Sequence, residues 1–461
     1  MRESQPRSAG EIGAVSGPSA TERRTSSPSR LRSTTCAPPT FLLAACRHFD
    51  EQMLATMGDK IGLNLHANTP EAWQASLPVK NGGIGLSRVE YLAPYAWIAS
   101  QAATVPIADQ LGIPPSIETQ AMRSLVLEMC WQKLDEPGNR CQHVKDRIPR
   151  PGQDFDAFYR EAPANARQLQ NALSSLMKQD MLRAASRPHD EVTAVRQRQI
   201  VQPNASRYLT VLPTQPEFVM HDHELRLIIK TRVGAQIIPG MQRMVRYICG
   251  QCLQPYFGQD FAAHFLSCPA MSCTEGLKRH NLIAHILAKY IEAGGGAAIR
   301  ELYARVVASR RRCDIDAVLG LMEYLIDVTV RNPTARSHLP HADDVLPNAE
   351  REKKEKYEDQ AQVLHAQVVP FAVDVYGALG EEAINFATTI AREAHAADPS
   401  AANLFNDMMN EMSVSLQRSN ARMLARGIAK HQVQQQAAAM PVQLGNWLQQ
   451  MQPPQSPMEV D

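Results

Sequence analysis

Four residues with soft ligand atoms fall within one short stretch of this chain: Cys249, Cys252, His264 and Cys268. Their spacing is Cys-x2-Cys-x11-His-x3-Cys. Two cysteines separated by two residues can hold one tetrahedral ion from a single knuckle. A His and a Cys four positions apart lie on one side of a helical turn and complete the tetrahedron. Gly250 sits inside the knuckle, where the chain must bend tightly, and Tyr256, Phe257, Phe261 and Phe265 supply a miniature core. The expectation is one structural zinc. Four protein ligands leave no open coordination position, so such an ion holds shape and does no chemistry. Cys273 lies close by as a spare that could replace Cys268.

A second constellation is acidic. The run Arg310-Arg311-Arg312-Cys313-Asp314-Ile315-Asp316 leads into a short apolar strand, followed by Ile326-Asp327-Val328-Thr329-Val330. Asp314 and Asp327 are separated by twelve residues across a predicted hairpin, which can bring both carboxylates to one end of a sheet. Two hard oxygen ligands there suit Mg²⁺ or Mn²⁺, which activates water and stabilises charge on a phosphate in flight. Glu301 is a candidate third ligand, and Asp316, on the same strand face as Asp314, is the alternative first ligand. Farther on, Lys353, Lys356 and Tyr357 share one helix face. A lysine there can orient the attacking water or neutralise the phosphate. The competing reading is structural: aspartates often end strands, and a Lys/Glu run is usually a solvated helix face.

These residues need elements to position them. Residues 1–40 are rich in Ser, Pro, Arg and Thr and poor in apolar groups, and they are expected to be disordered. Residues 41–212 read as a helical region. Phe49, Met53, Leu54, Met57 and Ile61 fall at helical spacing, further helices are expected at 93–103 and 117–133, and exposed ones within 160–202. Between them, Leu77 to Leu86 carries three glycines among aliphatic residues and reads as a tight turn. Residues 213–275 hold a linker, with a helix at 223–233, and the knuckle. Residues 276–395 begin with an amphipathic helix that puts Leu282, Ile283, Ile286, Leu287, Tyr290 and Ile291 on one face. Strands are expected at 314–320 and 323–330, and a helix over 351–375. A C-terminal helix at 396–431 and a disordered Gln-, Met- and Pro-rich tail at 432–461 complete the organisation. The fold class is α+β.

Composition narrows the setting. Over 461 residues the formal net charge is only +1, so a basic surface must be local. It is: His221 to Arg312 carries thirteen Lys or Arg against six Asp or Glu. Basic density around a zinc knuckle is a footprint for phosphate contact. No apolar run approaches the roughly 20 residues needed to span a bilayer, and the Met1–Thr40 stretch has no apolar signal-peptide core. A soluble protein of a reducing compartment is expected, in which clustered cysteines mean metal more often than disulfides.

Taken together, Asp314, Asp327-Val328-Thr329-Val330, the Lys353-x-x-Lys356-Tyr357 run and the Cys-Cys-His-Cys knuckle followed by Arg279-His280-Asn281 resemble the restriction-like endonuclease region of site-specific non-LTR retrotransposon proteins. Phe49-Asp50 and Leu77-Pro78-Val79 through Gly85-Leu86 resemble the thumb-like segment that follows the palm of such reverse transcriptases. The resemblance covers about residues 41–430. It implies a PD-(D/E)xK-like mixed sheet flanked by helices, with Asp314 and Asp327 as metal-binding catalytic carboxylates, Lys353 or Lys356 as the catalytic lysine and Glu301 as an auxiliary ligand. The knuckle and Arg279, His280, Arg310, Arg311 and Arg312 would contact nucleic acid. The implied partners are DNA and element RNA, with no membrane, and the implied location is nuclear, otherwise cytoplasmic. Three departures stand out: Thr329 occupies the place of the lysine in a simple Asp-x-Lys motif, Cys313 replaces the family's proline, and no palm is recognisable. His341-Ala342-Asp343-Asp344 follows the nuclease motif and sits in a Pro-rich loop, so no reverse transcription is expected. Two other classes of function remain open: a catalytically inactive nucleic-acid-binding remnant, and a zinc-stabilised protein-interaction module.

Overall fold

The computed structural model describes residues 39–186, 190–300 and 312–450. Its N-terminal half is helical: α1 (Pro39–Ile61), α2 (Pro70–Ser76), α3 (Val89–Gln110), α4 (Ile117–Asp135), α5 (Phe155–Glu161), α6 (Pro163–Ala185), α7 (Glu191–Gln199) and α8 (Asp222–Val233). Two short strands, β1 (Arg246–Ile248) and β2 (Pro255–Phe257), pair antiparallel, followed by α9 (Phe261–Phe265) and α10 (Pro269–Met271). The chain continues through α11 (Leu277–Ala293), β3 (Ala297–Arg300), β4 (Ile315–Leu319), β5 (Met322–Arg331), α12 (Val345–Leu364), β6 (Gln367–Asp374), α13 (Glu381–Ala397) and α14 (Leu404–Gln450). The architecture is mixed α+β with a small mixed sheet. Among the described residues no helix is long and apolar enough to cross a membrane.

Helices α3 to α6 share one core in which Ile98, Leu134, Tyr159, Leu169 and Leu173 are fully buried, and α1, α2 and α8 share a second around Leu54, Ile61, Ala75 and Ile229. Helix α6 therefore corrects the expectation of exposed helices over 160–202, because Leu169, Leu173, Leu176 and Met181 recur at helical spacing and are buried. In α1, Leu54 and Ile61 face inward as expected, but Phe49 is exposed. Its neighbour Asp50 is the structural residue: fully buried, it accepts hydrogen bonds from Val89 N (2.8 Å) and Glu90 N (2.9 Å), filling the role of a cap for α3. The glycine-rich turn works by close approach. A Cβ on Gly83 would lie 1.8 Å from the Leu77 carbonyl oxygen, and buried Arg232 of α8 donates to Gly83 O and Val79 O (both 2.9 Å).

The sheet has the order β3-β4-β5-β6, antiparallel except for the parallel β5/β6 pair. A parallel pair requires a crossover, which α12 supplies. One face of the sheet (Ile315, Ala317, Ile326, Val328, Phe371, Val373) packs against α11, α13 and the start of α14, where Ile283, Leu287, Ile390 and Met408 are buried. The opposite face is covered by α12, with Leu325, Cys313, Tyr357 and Ala361 in contact. This alternation follows from the two-residue period of a strand.

Strand β6 corrects the expectation of a helix over 351–375. His365 adopts left-handed φ (+53°) as the cap of α12, and Ala366 N closes the end on Ala361 O (3.0 Å). The following Val368-Val369-Pro370 cannot continue a helix: Pro370 lacks an N–H and β-branched residues favour a strand. Proline is tolerated because β6 is the edge strand of the sheet, next to β5 in the strand order. Helix α14 runs past residue 432 and serves as a spine. Over 411–421 it is buried nearly all round, with Ser413, Gln417 and Asn420 hydrogen-bonded into both halves of the molecule.

Candidate functional site

The turn after β1 presents Cys249 and Cys252. It closes with Leu253 N on Cys249 O (2.9 Å) and Cys249 N on Gln254 O (3.0 Å), and Leu253 takes the left-handed conformation (φ +61°). His264 comes from α9, and Cys268 immediately precedes α10. The four ligand atoms lie within 4.8 Å of one another. Cys249 Sγ to Cys268 Sγ is 4.0 Å, and Cys252 Sγ to His264 Nε2 is 3.6 Å. Metal–sulfur bonds of ~2.3 Å and metal–nitrogen bonds of ~2.0 Å give tetrahedral edges of about 3.5–3.8 Å, so this cluster could hold a metal ion after little adjustment. Burial pushes the Cys268 thiol up to about 12 and also raises Cys252, so in these surroundings an ion must drive their deprotonation. Burial lowers His264, favouring the neutral, ligating imidazole. Cys273 is exposed and lies outside the cluster, whereas Cys268 belongs to it.

The knuckle is built into the protein's interior. His264 stacks on Tyr256 (centroids 4.9 Å apart), whose hydroxyl meets His431 Nδ1 of α14 at 3.1 Å. Gly427 of α14 lies so close that a Cβ there would come 2.6 Å from the Phe265 ring. Cys249, Phe261, Phe265 and Cys268 belong to the same buried cluster as Tyr376, Val414 and Leu424.

The second site lies where α12 crosses the sheet. On β5, Ile326 and Val328 point to the main core, so Asp327 points toward α12. Lys353 Nζ is 2.6 Å from Asp327 Oδ1 and Lys356 Nζ is 3.3 Å from Oδ2. The Tyr357 hydroxyl also reaches Oδ2, at 2.6 Å. Burial pushes the Asp327 carboxyl up, but the hydrogen bonds from Lys353 and Tyr357 and the charges of both lysines outweigh it and hold the group below its ordinary value. Both lysines singled out by sequence thus converge on one carboxylate.

Asp314 precedes β4, at the point where β5 loses its neighbour. Its Oδ2 accepts Val328 N (2.7 Å) and sits 3.1 Å from His280 Nε2, which also contacts Val328 O at 2.9 Å. Asp314 and His280 thereby satisfy a stretch of strand edge that would otherwise be open. Burial lowers His280, but the Asp314 carboxylate, helped by Asn281 and the Val328 carbonyl, raises it to about 9, leaving it cationic at neutral pH. Asp316 is buried on β4 opposite Leu325, on the α12 face that also carries Asp327.

The remaining expected residues divide sharply. Glu301, Arg310 and Arg311 lie outside the described residues. Arg312 is exposed, and its carbonyl accepts from Tyr357 (2.6 Å). Arg279 corrects the expectation of nucleic-acid contact. It is only 6% exposed and donates to Asn420 Oδ1 (2.8 Å) and Leu266 O (3.3 Å), tying α11 to α14 and the knuckle. Burial lowers its guanidinium to about 10. His280 pairs with Asp314, and its side chain is partly exposed. Asp343 of the His341–Asp344 run accepts from Gln199 Nε2 (3.2 Å) and pairs with Arg198 (3.4 Å), so it anchors the approach to α12 onto α7. Two functions escaped the sequence reading. The clamp of Tyr357 on Asp327 was foreshadowed only by its place beside Lys353 and Lys356, and the His280–Asp314 pair had no local signal.

No protein-family model matches this chain, and no curated protein matches it.

Proposed function

We propose that the chain is a fragment of a retrotransposon-encoded protein in which β3–β6 and their helices form a metal-dependent, PD-(D/E)xK-like DNA endonuclease domain. The observation that carries the reading is the convergence of Lys353 and Lys356, both from α12, on the Asp327 carboxylate of β5. A phosphodiesterase of this kind needs a carboxylate beside a lysine, and Asp327 lies beside Lys353 and Lys356 although far from them in sequence. Asp327 and Asp314, or Asp316 in its stead, would hold Mg²⁺ or Mn²⁺. The bound ion supplies Lewis acidity and lowers the pKa of a coordinated water. The lysines hold the Asp327 charge balanced while the site is metal-free and face the charge that develops on phosphate during cleavage. His280 fixes the Asp314 carboxylate.

In the same reading Cys249, Cys252, His264 and Cys268 carry structural zinc. Those four residues would hold the ion and keep the knuckle in place beneath α14, leaving the exposed basic residues near it, such as Arg246 and Lys278, to meet DNA or element RNA. A DNA target implies a nuclear location.

The test is nicking of supercoiled plasmid by purified protein with Mg²⁺ or Mn²⁺, beside Asp327→Ala. Nicking lost in the variant with DNA binding retained is the expected result. Retained nicking in Asp327→Ala removes the assignment. One observation favours a second reading, that of an inactive nucleic-acid-binding remnant: both oxygens of Asp327 and one of Asp314 are already engaged by protein groups. It predicts salt-sensitive DNA binding without nicking in either protein.

A further inference from the structure

We infer that Tyr357 is a positioning residue that commits Lys356 to the reacting phosphate and leaves Lys353 as the counter-ion of Asp327. The chemistry of this division rests on the endonuclease reading above; the geometry stands on the hydrogen bonds around one phenol.

Tyr357 is fully buried, with its ring among Cys313, Leu325 and Ala361. Its hydroxyl is 2.6 Å from Asp327 Oδ2 and 2.6 Å from the Arg312 carbonyl oxygen, and it accepts from Lys356 Nζ at 2.7 Å. A phenol has one proton to donate and an oxygen that accepts. The proton goes to Asp327 or to the Arg312 carbonyl, and the oxygen receives the ammonium of Lys356. Burial and the neighbouring Asp327 keep the phenol protonated. Tyr357 therefore joins three elements at one atom: α12, β5 and the segment that enters β4.

The two lysines differ in what holds them. Lys353 is matched to Asp327 Oδ1 at 2.6 Å, and its side chain is 16% exposed. Lys356 is farther from the carboxylate (3.3 Å), anchored on the phenol, and 39% exposed. Lysine carries its charge on a flexible stem, and a lysine pinned before substrate arrives loses less freedom in the reaction. Lys356 is pinned and still open to solvent, the combination needed to meet an incoming phosphate. Lys353 is the tighter partner of Asp327 and the less accessible of the two.

The test uses Tyr357→Phe, which keeps the ring and removes the hydroxyl. Acetic anhydride labelling of the full chain, read site by site by mass spectrometry, needs no activity. Labelling of Lys356 is expected to rise several-fold while Lys353 is unchanged. In the wild-type protein, Lys356 is expected to label more slowly than Lys354, whose side chain is 50% exposed; this comparison stands even where the variant does not fold. Labelling that rises equally at Lys353 and Lys356, or wild-type Lys356 as reactive as Lys354, overturns the proposal. In plasmid nicking at saturating Mn²⁺, Tyr357→Phe and Lys356→Met should each lower the rate by about tenfold, and the double variant should be no slower than Lys356→Met alone. Losses that multiply in the double variant overturn it. If the wild type does not nick but Lys356 labelling responds selectively, the endonuclease reading falls and the positioning of Lys356 by Tyr357 stands.

Discussion

Lys353 Nζ and Asp327 Oδ1 meet at 2.6 Å with little exposure on either side, joining the crossover helix α12 to the middle of strand β5. The carboxyl is held below its ordinary value of ~3.9. Its contribution to stability is therefore present above about pH 4 and is lost as pH falls through the lower, folded-state value. Asp327→Asn should cost about 3 kcal/mol at neutral pH, because the lysines lose their partner. Urea unfolding at pH 7 and pH 3 checks this, and a gap between wild type and variant that stays the same at both values would contradict it.

The metal cluster should behave as part of the fold. Protein purified without chelator is expected to carry one equivalent of zinc by colorimetric release. Cys268→Ser, or stripping the metal, should cost ~4 kcal/mol or more, because the knuckle shares its core with α14. Unfolding curves that coincide with and without chelator would refute a structural ion here.

Arg279 should matter for folding and not for binding. Arg279→Ala removes charge-assisted bonds to Asn420 and the Leu266 carbonyl and should destabilise by about 2–3 kcal/mol. DNA affinity, followed against salt concentration, should keep the wild-type slope. A shallower slope would put the guanidinium on phosphate after all.

His280 gives a pH signature. Its folded-state value of about 9 lies above the ~6.5 of an unfolded chain. Its contribution is therefore full below about pH 6.5 and fades as pH rises through about 9. His280→Gln should flatten stability over that window, measured by urea midpoints without added Mg²⁺. An unchanged slope would show that the Asp314 contact does not govern this histidine.

Asp374 gives a second signature at lower pH. It is fully buried at the end of β6, where one oxygen accepts from Tyr376, Gly377 and Ala378 N–H groups at 2.7–2.9 Å and the other has no partner among the described residues. Burial pushes its carboxyl up to about 7 despite those bonds. The folded state then holds a proton that the unfolded chain releases near pH 4, so stability falls from about pH 4 to 7, at most ~1.4 kcal/mol per unit. Asp374→Asn should remove that slope. If the variant retains it, another group is responsible.

Local spacing alone determined much of this protein. The Cys249–Cys252–His264–Cys268 pattern, the apolar face of α11, the β4–β5 hairpin and the shared face of Lys353, Lys356 and Tyr357 each lie within one short stretch of chain, where helical and strand periods and turn spacing govern. Tertiary structure decided what those faces meet. The helix expected over 351–375 gave way to β6 because an edge strand accommodates Pro370 and the valines that precede it. Arg279 turned inward because α14 brings Asn420 against it. The convergence on Asp327 and the His280–Asp314 pair depend on a parallel crossover and a strand edge, contacts between residues remote in the chain. Periodicity carries no information about such contacts, since it fixes which way a side chain points from its own element and leaves open which element lies opposite.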